Sequence, residues 1–244
     1  MLELLLTNLF VVAQLEVEPR GAEDAGASDN ALLIPEPLRF DLVRPMLPDP
    51  WELEANVLVE APLRADGEGS VEWAPEVEVA LPGGIALELE LPIEDTTVQA
   101  VKGAAQTTIG RIGASTVHGA QLVVEGGTAR PKWEVSPLFL LGHRLDATWS
   151  VLGMAGFRLT TRPDDDAIGE VLFNPTVFAD LNRHASIGVE TNIAVGTDGA
   201  FELVALPQVH VEFFDQFMIQ AGLGGRFTDR SGGVLFATRM IVSY

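Results

Sequence analysis

The sequence predicts an all-β protein: a transmembrane antiparallel up-and-down β-barrel of about twelve strands, preceded by a proline-rich N-terminal segment. Three observations predict it. Apolar and polar residues alternate with period two over segment after segment, the signature of a strand with one wet and one dry face. The connections alternate between short turns and longer polar loops, as they do in a barrel that crosses a membrane. No run of the chain reaches the roughly 18–20 continuous apolar residues of a membrane helix, although 47% of its 244 residues are hydrophobic and the mean hydropathy is +0.23.

Residues 1–13 resemble the apolar part of a secretory signal, with Val11-Val12-Ala13 as a small-residue cleavage site. Glu3, however, stands where a basic residue belongs, so a signal remnant and an ordinary apolar segment both remain open. Residues 14–50 hold an acidic, small-residue run at 23–30 and then Pro35, Pro37, Pro45, Pro48 and Pro50. Proline at this density blocks hydrogen-bonded ladders. The segment reads as an irregular leader with one short helical turn over Leu38 to Val43, lying either outside the barrel or in its mouth. The chain thus divides into 1–50 and a barrel of 51–244.

From Trp51 the alternation is clear. Trp51, Leu53, Ala55, Val57 and Val59 share one face, followed by Val71 to Leu81 and Ile85 to Leu91 on odd numbers. Pro82-Gly83-Gly84 supplies the tight turn between the last two. The pattern returns at 187–195, 201–213 and 217–223 on odd numbers, and at 234–244 on even numbers. These seven apolar faces carry no charged residue. The middle is less regular, with strands expected at 97–110, 115–125, 133–143, 145–160 and 169–180. Short turns fall near 82–84, 111–114, 142–145, 181–184 and 214–216. Longer loops fall near 61–69, 92–96, 126–132, 161–168, 196–200 and 228–233. An even strand count puts both termini at the short-turn end, the periplasmic one in such barrels. Trp51, Trp73, Trp133, Phe201, Phe213, Phe217, Phe227 and Tyr244 stand near strand ends, where a membrane interface favours aromatic rings. A soluble barrel or sandwich would also alternate, but the uncharged faces and the absence of a helical pattern to cover them favour lipid.

Composition narrows the function. A formal net charge of −20 with only two lysines, Lys102 and Lys132, leaves no basic surface for nucleic acid. Without cysteine there is no disulfide, thiolate metal site or Cys nucleophile. His118, His143, His184 and His210 are dispersed, and Ser136 and Ser150 lack the flanking pattern of a hydrolase nucleophile. No cofactor, metal ion or catalytic residue is assigned. Asp164-Asp165-Asp166 reads as a solvated acidic loop rather than a cation site. Gly222-Leu-Gly-Gly225 lies in a strand with no helix after it, so a phosphate loop fails on context.

The final strand, Gly233 to Tyr244, alternates and ends on an aromatic residue. It resembles the C-terminal strand of bacterial outer-membrane proteins, although Tyr stands where Phe is usual. That resemblance implies the outer membrane, its lipid and, during assembly, the barrel-insertion machinery as partners. Residues 51–244 also loosely resemble the phenol-degradation MetA-type outer-membrane transporter group, through Trp73-Ala-Pro-Glu-Val-Glu-Val-Ala-Leu-Pro and Leu206-Pro-Gln-Val-His-Val-Glu.

The polar faces of the first three strands set Glu52, Glu54, Glu60, Glu72, Glu76, Glu78, Glu88 and Glu90 along one wall of the lumen. Carboxylates this close must be solvated, protonated or paired. Barrel closure sets Arg239 and Arg226 on one border and Lys102 on the other, with Arg158 reaching across. Glu190, His210 and Glu212 form a further polar cluster. Two readings compete: a hydrogen-bonded network that fills a narrow barrel, which the residues favour, and an acidic wall that attracts a cation or small cationic solute. The expectation is a channel or transport-type barrel with an acidic, partly filled lumen. The alternatives are a non-conducting structural or surface barrel and, least favoured, an outer-membrane enzyme.

Overall fold

The structure is a computed structural model that describes residues 32–40, 42–63, 70–163, 165–214 and 216–244. The apolar residues 1–13, the acidic run 23–30 and Asp164 lie outside the described residues, as do residues 64–69 of the first long loop.

Every described strand pairs antiparallel with its neighbour. In order these are β1 (Leu53–Leu63), β2 (Glu72–Leu81), β3 (Ile85–Glu90), β4 (Ile93–Glu94) and β5 (Thr97–Val98). Then come β6 (Ala100–Ile112), β7 (Thr116–Gly127), β8 (Trp133–Arg144), β9 (Trp149–Arg162) and β10 (Asp165–Asn182). The last are β11 (Ala185–Gly196), β12 (Phe201–Phe213), β13 (Phe217–Thr228) and β14 (Gly232–Ser243). β4 and β5 are two-residue continuations of β3 and β6, so twelve strands form the wall. β14 returns to β1, from Glu54 opposite Ser243 to Leu63 opposite Val234, and the sheet closes. Closure leaves no unpaired edge, the condition for a sheet to sit in lipid.

The twelve expected strands are present, and the register expected for the first three and the last four holds, whereas the turn expected at 142–145 moves to 145–148 because Gly142, His143 and Arg144 still pair with β9. The connections differ in detail. The expected loop at 92–96 is a hairpin: Leu91 N–H bonds Pro75 O (3.0 Å) just before Pro92, the ladder to β2 resumes in β4, and β4 pairs with β5. The expected loop at 161–168 also contracts: β9 runs to Arg162 and β10 starts at Asp165. In the turn after β2, Gly83 and Gly84 take left-handed φ of 88° and 74°, which glycine adopts without a Cβ clash. In the turn after β8, the Asp146 carboxylate accepts the N–H groups of Trp149 (2.7 Å) and Thr148 (2.8 Å). Those two bonds hold its pKa below the usual aspartate value.

The wall is apolar outside; inside it is acidic along β1 to β3 and largely apolar where β7 to β10 bury Val117, Leu138, Leu140, Leu152, Met154 and Phe178. Val171, Phe157, Phe139 and Val189 are exposed, while Glu54, Glu78, Glu190 and Arg239 are buried. This inverts the soluble pattern and places the dry face where lipid would lie. Trp51, Trp149 and Tyr244 mark the short-turn rim and Trp133 and Phe227 the long-loop rim.

Residues 32–50 run inside this wall. Among the described residues the helical turn expected at Leu38 to Val43 does not form; the chain bends at 38–40 and 43–44 instead. The reason lies in its hydrogen bonds. The N–H groups of Leu38, Arg39, Phe40 and Val43 donate to Gln208, Glu190, Glu190 and Gln106 of the wall, at 3.0, 3.0, 2.7 and 3.1 Å, rather than to the segment itself. Inward polar residues thus satisfy a backbone that Pro35, Pro37 and Pro45 keep from pairing with itself.

Candidate functional site

The inward faces of β1 to β8 stack glutamates in lateral rows, because antiparallel register sets inward residues directly opposite one another. Glu54, Glu78 and Glu88 form one row. Asn56, Glu76, Glu90, Lys102, Glu125 and Glu134 form the next. Glu60, Glu72 and Glu94 form a third, nearer the long loops. Like charges directly opposite destabilise a sheet unless countered.

Counter-charges are present, and two of them come from the segment inside the barrel. Arg44, buried, places Nη2 2.6 Å from Glu52 Oε1 and pairs with Glu54 through Nη1, with Glu78 Oε2 at 4.0 Å. Arg39 sets Nε 2.8 Å from Glu60 Oε1 and Nη2 3.7 Å from Glu202 Oε1. Burial opposes both charges, but Glu60, Glu202 and Glu190 around Arg39, and Glu54, Glu36 and Glu52 around Arg44, outweigh it. Both pKa values lie above that of an ordinary arginine. Lys102 joins two rows by pairing with Glu88 (3.2 Å) and Glu90. Lys132 bridges Glu125 (2.9 Å) and Glu134 (3.2 Å). Glu76, Glu88 and Glu90 bring carboxylate oxygens within 4.8 Å of one another, and the Lys102 ammonium supplies the cation beside them.

The eight glutamates expected on the acidic wall fall in these rows or, for Glu52, on Arg44 beside them. Of the basic residues expected as their partners, Lys102 pairs with Glu88 and Glu90 as expected, and Arg226 and Arg158 are placed differently. Arg226 binds Glu202 instead, with Nη2 at 2.7 Å and Nε at 3.1 Å. Arg158 does not reach across. It meets Glu170 (3.3 Å) and Glu134 (4.0 Å) on adjoining strands, because β9 lies far around the wall from β1 to β3. Arg239 is buried opposite Leu58 and Gln220.

Glu190, His210 and Glu212 do not form one cluster. Glu190 is fully buried and takes the Arg39 and Phe40 N–H groups and the Asn192 amide. His210 lies beside Gln208 (3.1 Å) with its ring edge-on to Phe178. Glu212 faces His184 at 3.8 Å. Their shared period implies a shared face, but antiparallel register sets Glu190 opposite Leu206 and His210 opposite Ser186, which separates them along the strands.

Arg39 and Arg44 are the functional residues that sequence reasoning missed. The signal is present: both sit among apolar residues (Leu38, Phe40, Leu42, Val43 and Met46) in a chain with few cations. Such a mixture suits neither an exposed leader nor a membrane span. It suits a lumen.

The segment enters at the short-turn end, where Leu33 O accepts a hydrogen bond from Arg144. It rises to Arg39 and Phe40 and descends past Gln106, Glu54 and Thr108 into β1. Leu32, Ile34, Leu42 and Met46 pack against Val117, Leu138, Leu140, Leu152, Met154, Leu172 and Phe178 of the wall. Leu38 packs on Val204, Leu206, Leu235 and Ala237. The wall makes room with glycine: a Cβ at Gly142 would strike Ile34, and one at Gly222 would strike Leu38 and Leu206.

Above this loop, a cavity of about 1100 Å³ opens at the long-loop end. Glu60, Glu72, Glu90, Glu94 and Glu125 line it, with Arg130, Lys132 and Arg162 on the same rim. A smaller cavity of about 280 Å³ lies at the short-turn end, between Pro35, Arg44, Arg144 and Glu212.

No protein-family model matches the chain, and no curated protein matches it in sequence. Solved structures do. An outer membrane channel from Pseudomonas putida F1 superimposes with a TM-score of 0.65 at 12% identity, over 82% of this chain and 97% of that one. The KdgM porin superimposes with a TM-score of 0.62 at 10% identity, over 78% and 99%. The NanC porin gives 0.57 at 9% identity, over 78% and 98%. The likeness is one of fold: a closed barrel of the kind outer-membrane channels use.

Proposed function

We propose that this protein is an outer-membrane barrel of channel or transport type whose lumen its own N-terminal segment keeps narrow, and that it favours cations over anions. The carrying observation is the vestibule at the long-loop end, where Glu60, Glu72, Glu90, Glu94 and Glu125 outnumber Arg130, Lys132 and Arg162 around an open cavity. Acidic rings of this kind concentrate cations and repel anions. The alternation of loop lengths supports an orientation with the vestibule outside and the barrel ends in the periplasm. The KdgM porin has been solved in complex with disordered oligogalacturonate, a polycarboxylate. The acidic wall here argues for a solute of the opposite charge. Membership of the phenol-degradation MetA-type group belongs to the same proposal and is supported by the segments 73–82 and 206–212.

A second reading, a structural or surface barrel without a path, draws on one observation: Leu38, Leu42, Val43 and Arg44 are almost fully buried in mid-lumen. Planar-bilayer recording separates the two. A verified folded barrel should pass a small current with a reversal potential on the cation side. Glu72→Gln with Glu94→Gln should move that potential toward zero. Silence from folded protein would favour the second reading, and anion preference would remove the acidic vestibule from the mechanism.

A further inference from the structure

We propose that the floor of the vestibule is a recognition site for a guanidinium or ammonium group, and that Arg39 occupies it as a tethered stand-in for the solute. The inference rests on the channel reading above and adds its ligand class. Four observations carry it.

First, the site already holds such a group. The Arg39 guanidinium lies on Glu60 (2.8 Å) and near Glu202 (3.7 Å). Second, the site opens on space that a solute can reach. Glu60 lines the 1100 Å³ cavity, and the Arg39 side chain keeps 21% of its surface exposed, against 2% for Arg44 lower in the lumen. Third, the row and Glu202 beside it hold more negative charge than Arg39 balances together with Arg226, which sits 2.7 Å from the other oxygen of Glu202. Glu60 stands opposite Glu72, which stands opposite Glu94, and all three line the cavity. A cationic solute with more than one amine would find acceptors along this row.

Fourth, the side chain is free to leave without its backbone. The Arg39 and Phe40 N–H groups are fixed separately, on the two oxygens of Glu190 at 3.0 and 2.7 Å. On either side, Leu38 and Leu42 anchor the loop in apolar contacts. Pulling out the whole segment would expose its buried apolar side chains to water. Moving the Arg39 side chain alone leaves those contacts in place, and an incoming cation replaces its charge on Glu60 and Glu202. The exchange is therefore local. An incoming cation takes Glu60 and Glu202, the Arg39 guanidinium turns into the vestibule, and the loop stays seated.

An internal competitor lowers apparent affinity by the fraction of time it leaves the site free. Calorimetric titration of the full chain in detergent with spermidine and L-argininamide tests this, with glutamate as the anionic control. Removing the competitor in Arg39→Ala should tighten binding of both amines about tenfold, corresponding to a site free about one-tenth of the time. Arg39→Gln should do the same and serves as the second variant if the first does not fold. Glu60→Gln should weaken binding in either background, while Arg158→Ala leaves it unchanged. Amine binding that is no tighter in either Arg39 variant overturns the proposal, as does equal binding of glutamate. Magnesium chloride that competes fully with spermidine overturns the organic-cation class. Cation-preferring current without Arg39-dependent binding would sink this inference and spare the channel. Binding without current would do the reverse.

Discussion

The two halves of the lumen wall obey one period and present opposite chemistry. From β1 to β3 the inward positions include Glu54, Glu60, Glu76, Glu78, Glu88 and Glu90, with Asn56 and the small Ala74, Ala80 and Ala86 between them. From β7 to β10 they include Val117, Leu138, Leu140, Leu152, Met154 and Phe178. An empty, water-filled barrel would leave that second face wet and apolar, a standing free-energy cost. The difference shows that the lumen is built around an occupant with two sides. Residues 32–50 are that occupant. Leu32, Ile34, Leu42 and Met46 meet the apolar half, and Arg39 and Arg44 meet the acidic half.

The largest test of this pairing is Arg44→Ala. It strips the counter-charge shared by Glu52 and Glu54, close to Glu78, in a buried setting. Removing one partner of a buried ion pair typically costs about 3–5 kcal/mol. Unfolding of the folded barrel in denaturant should show a loss of that order, and Arg44→Ala with Glu54→Gln should recover part of it. A loss below about 1 kcal/mol, the range of exposed pairs, would mean that water rather than Arg44 balances the acidic half.

The same asymmetry explains what the sequence made legible. Where the inward face is charged, as in β1 to β3, alternation is sharp and both register and lumen residues can be read directly. Where the inward face is apolar, as at Val151-Leu152-Gly153-Met154 or Leu138-Phe139-Leu140-Leu141, both faces are hydrophobic and the period fades. The expected strands were therefore least regular over the stretch that packs against the inner segment. That stretch was itself the clue, since a barrel strand apolar on both faces must have something dry on its inner side. The cations of the acidic wall were misassigned for a related reason. Closure of the sheet identifies neighbours along the wall, such as Lys102, but cannot reveal a chain that crosses the interior, so Arg39 and Arg44 were not paired with it.

The apolar half is tested next by Leu42→Ala. Leu42 is 1% exposed and packed by the inner segment against the β7 to β10 wall. Truncation there leaves a cavity and should cost about 2–5 kcal/mol. Leu89→Ala sharpens the comparison. Leu89 faces outward with 52% of its surface exposed, so lipid can close over the missing atoms. It should cost clearly less than Leu42→Ala. Equal losses would mean that the inner segment contributes no more packing than the lipid does.

The smallest expected effect sets one arginine against another. Arg158 and Arg44 both face carboxylates from the lumen side, and each meets more than one. Their surroundings differ. Arg158 keeps 32% of its side chain exposed, with Glu170 and Glu134 also partly wet, whereas Arg44 keeps 2%. Water replaces a lost partner at the first site and is largely kept from the second. Arg158→Ala should therefore change stability by no more than about 1 kcal/mol, measured in the same denaturant series as Arg44→Ala. If the two variants lose equal stability, the contrast between a wet rim and a sealed interior fails, and the inner segment is not what keeps water from the acidic wall.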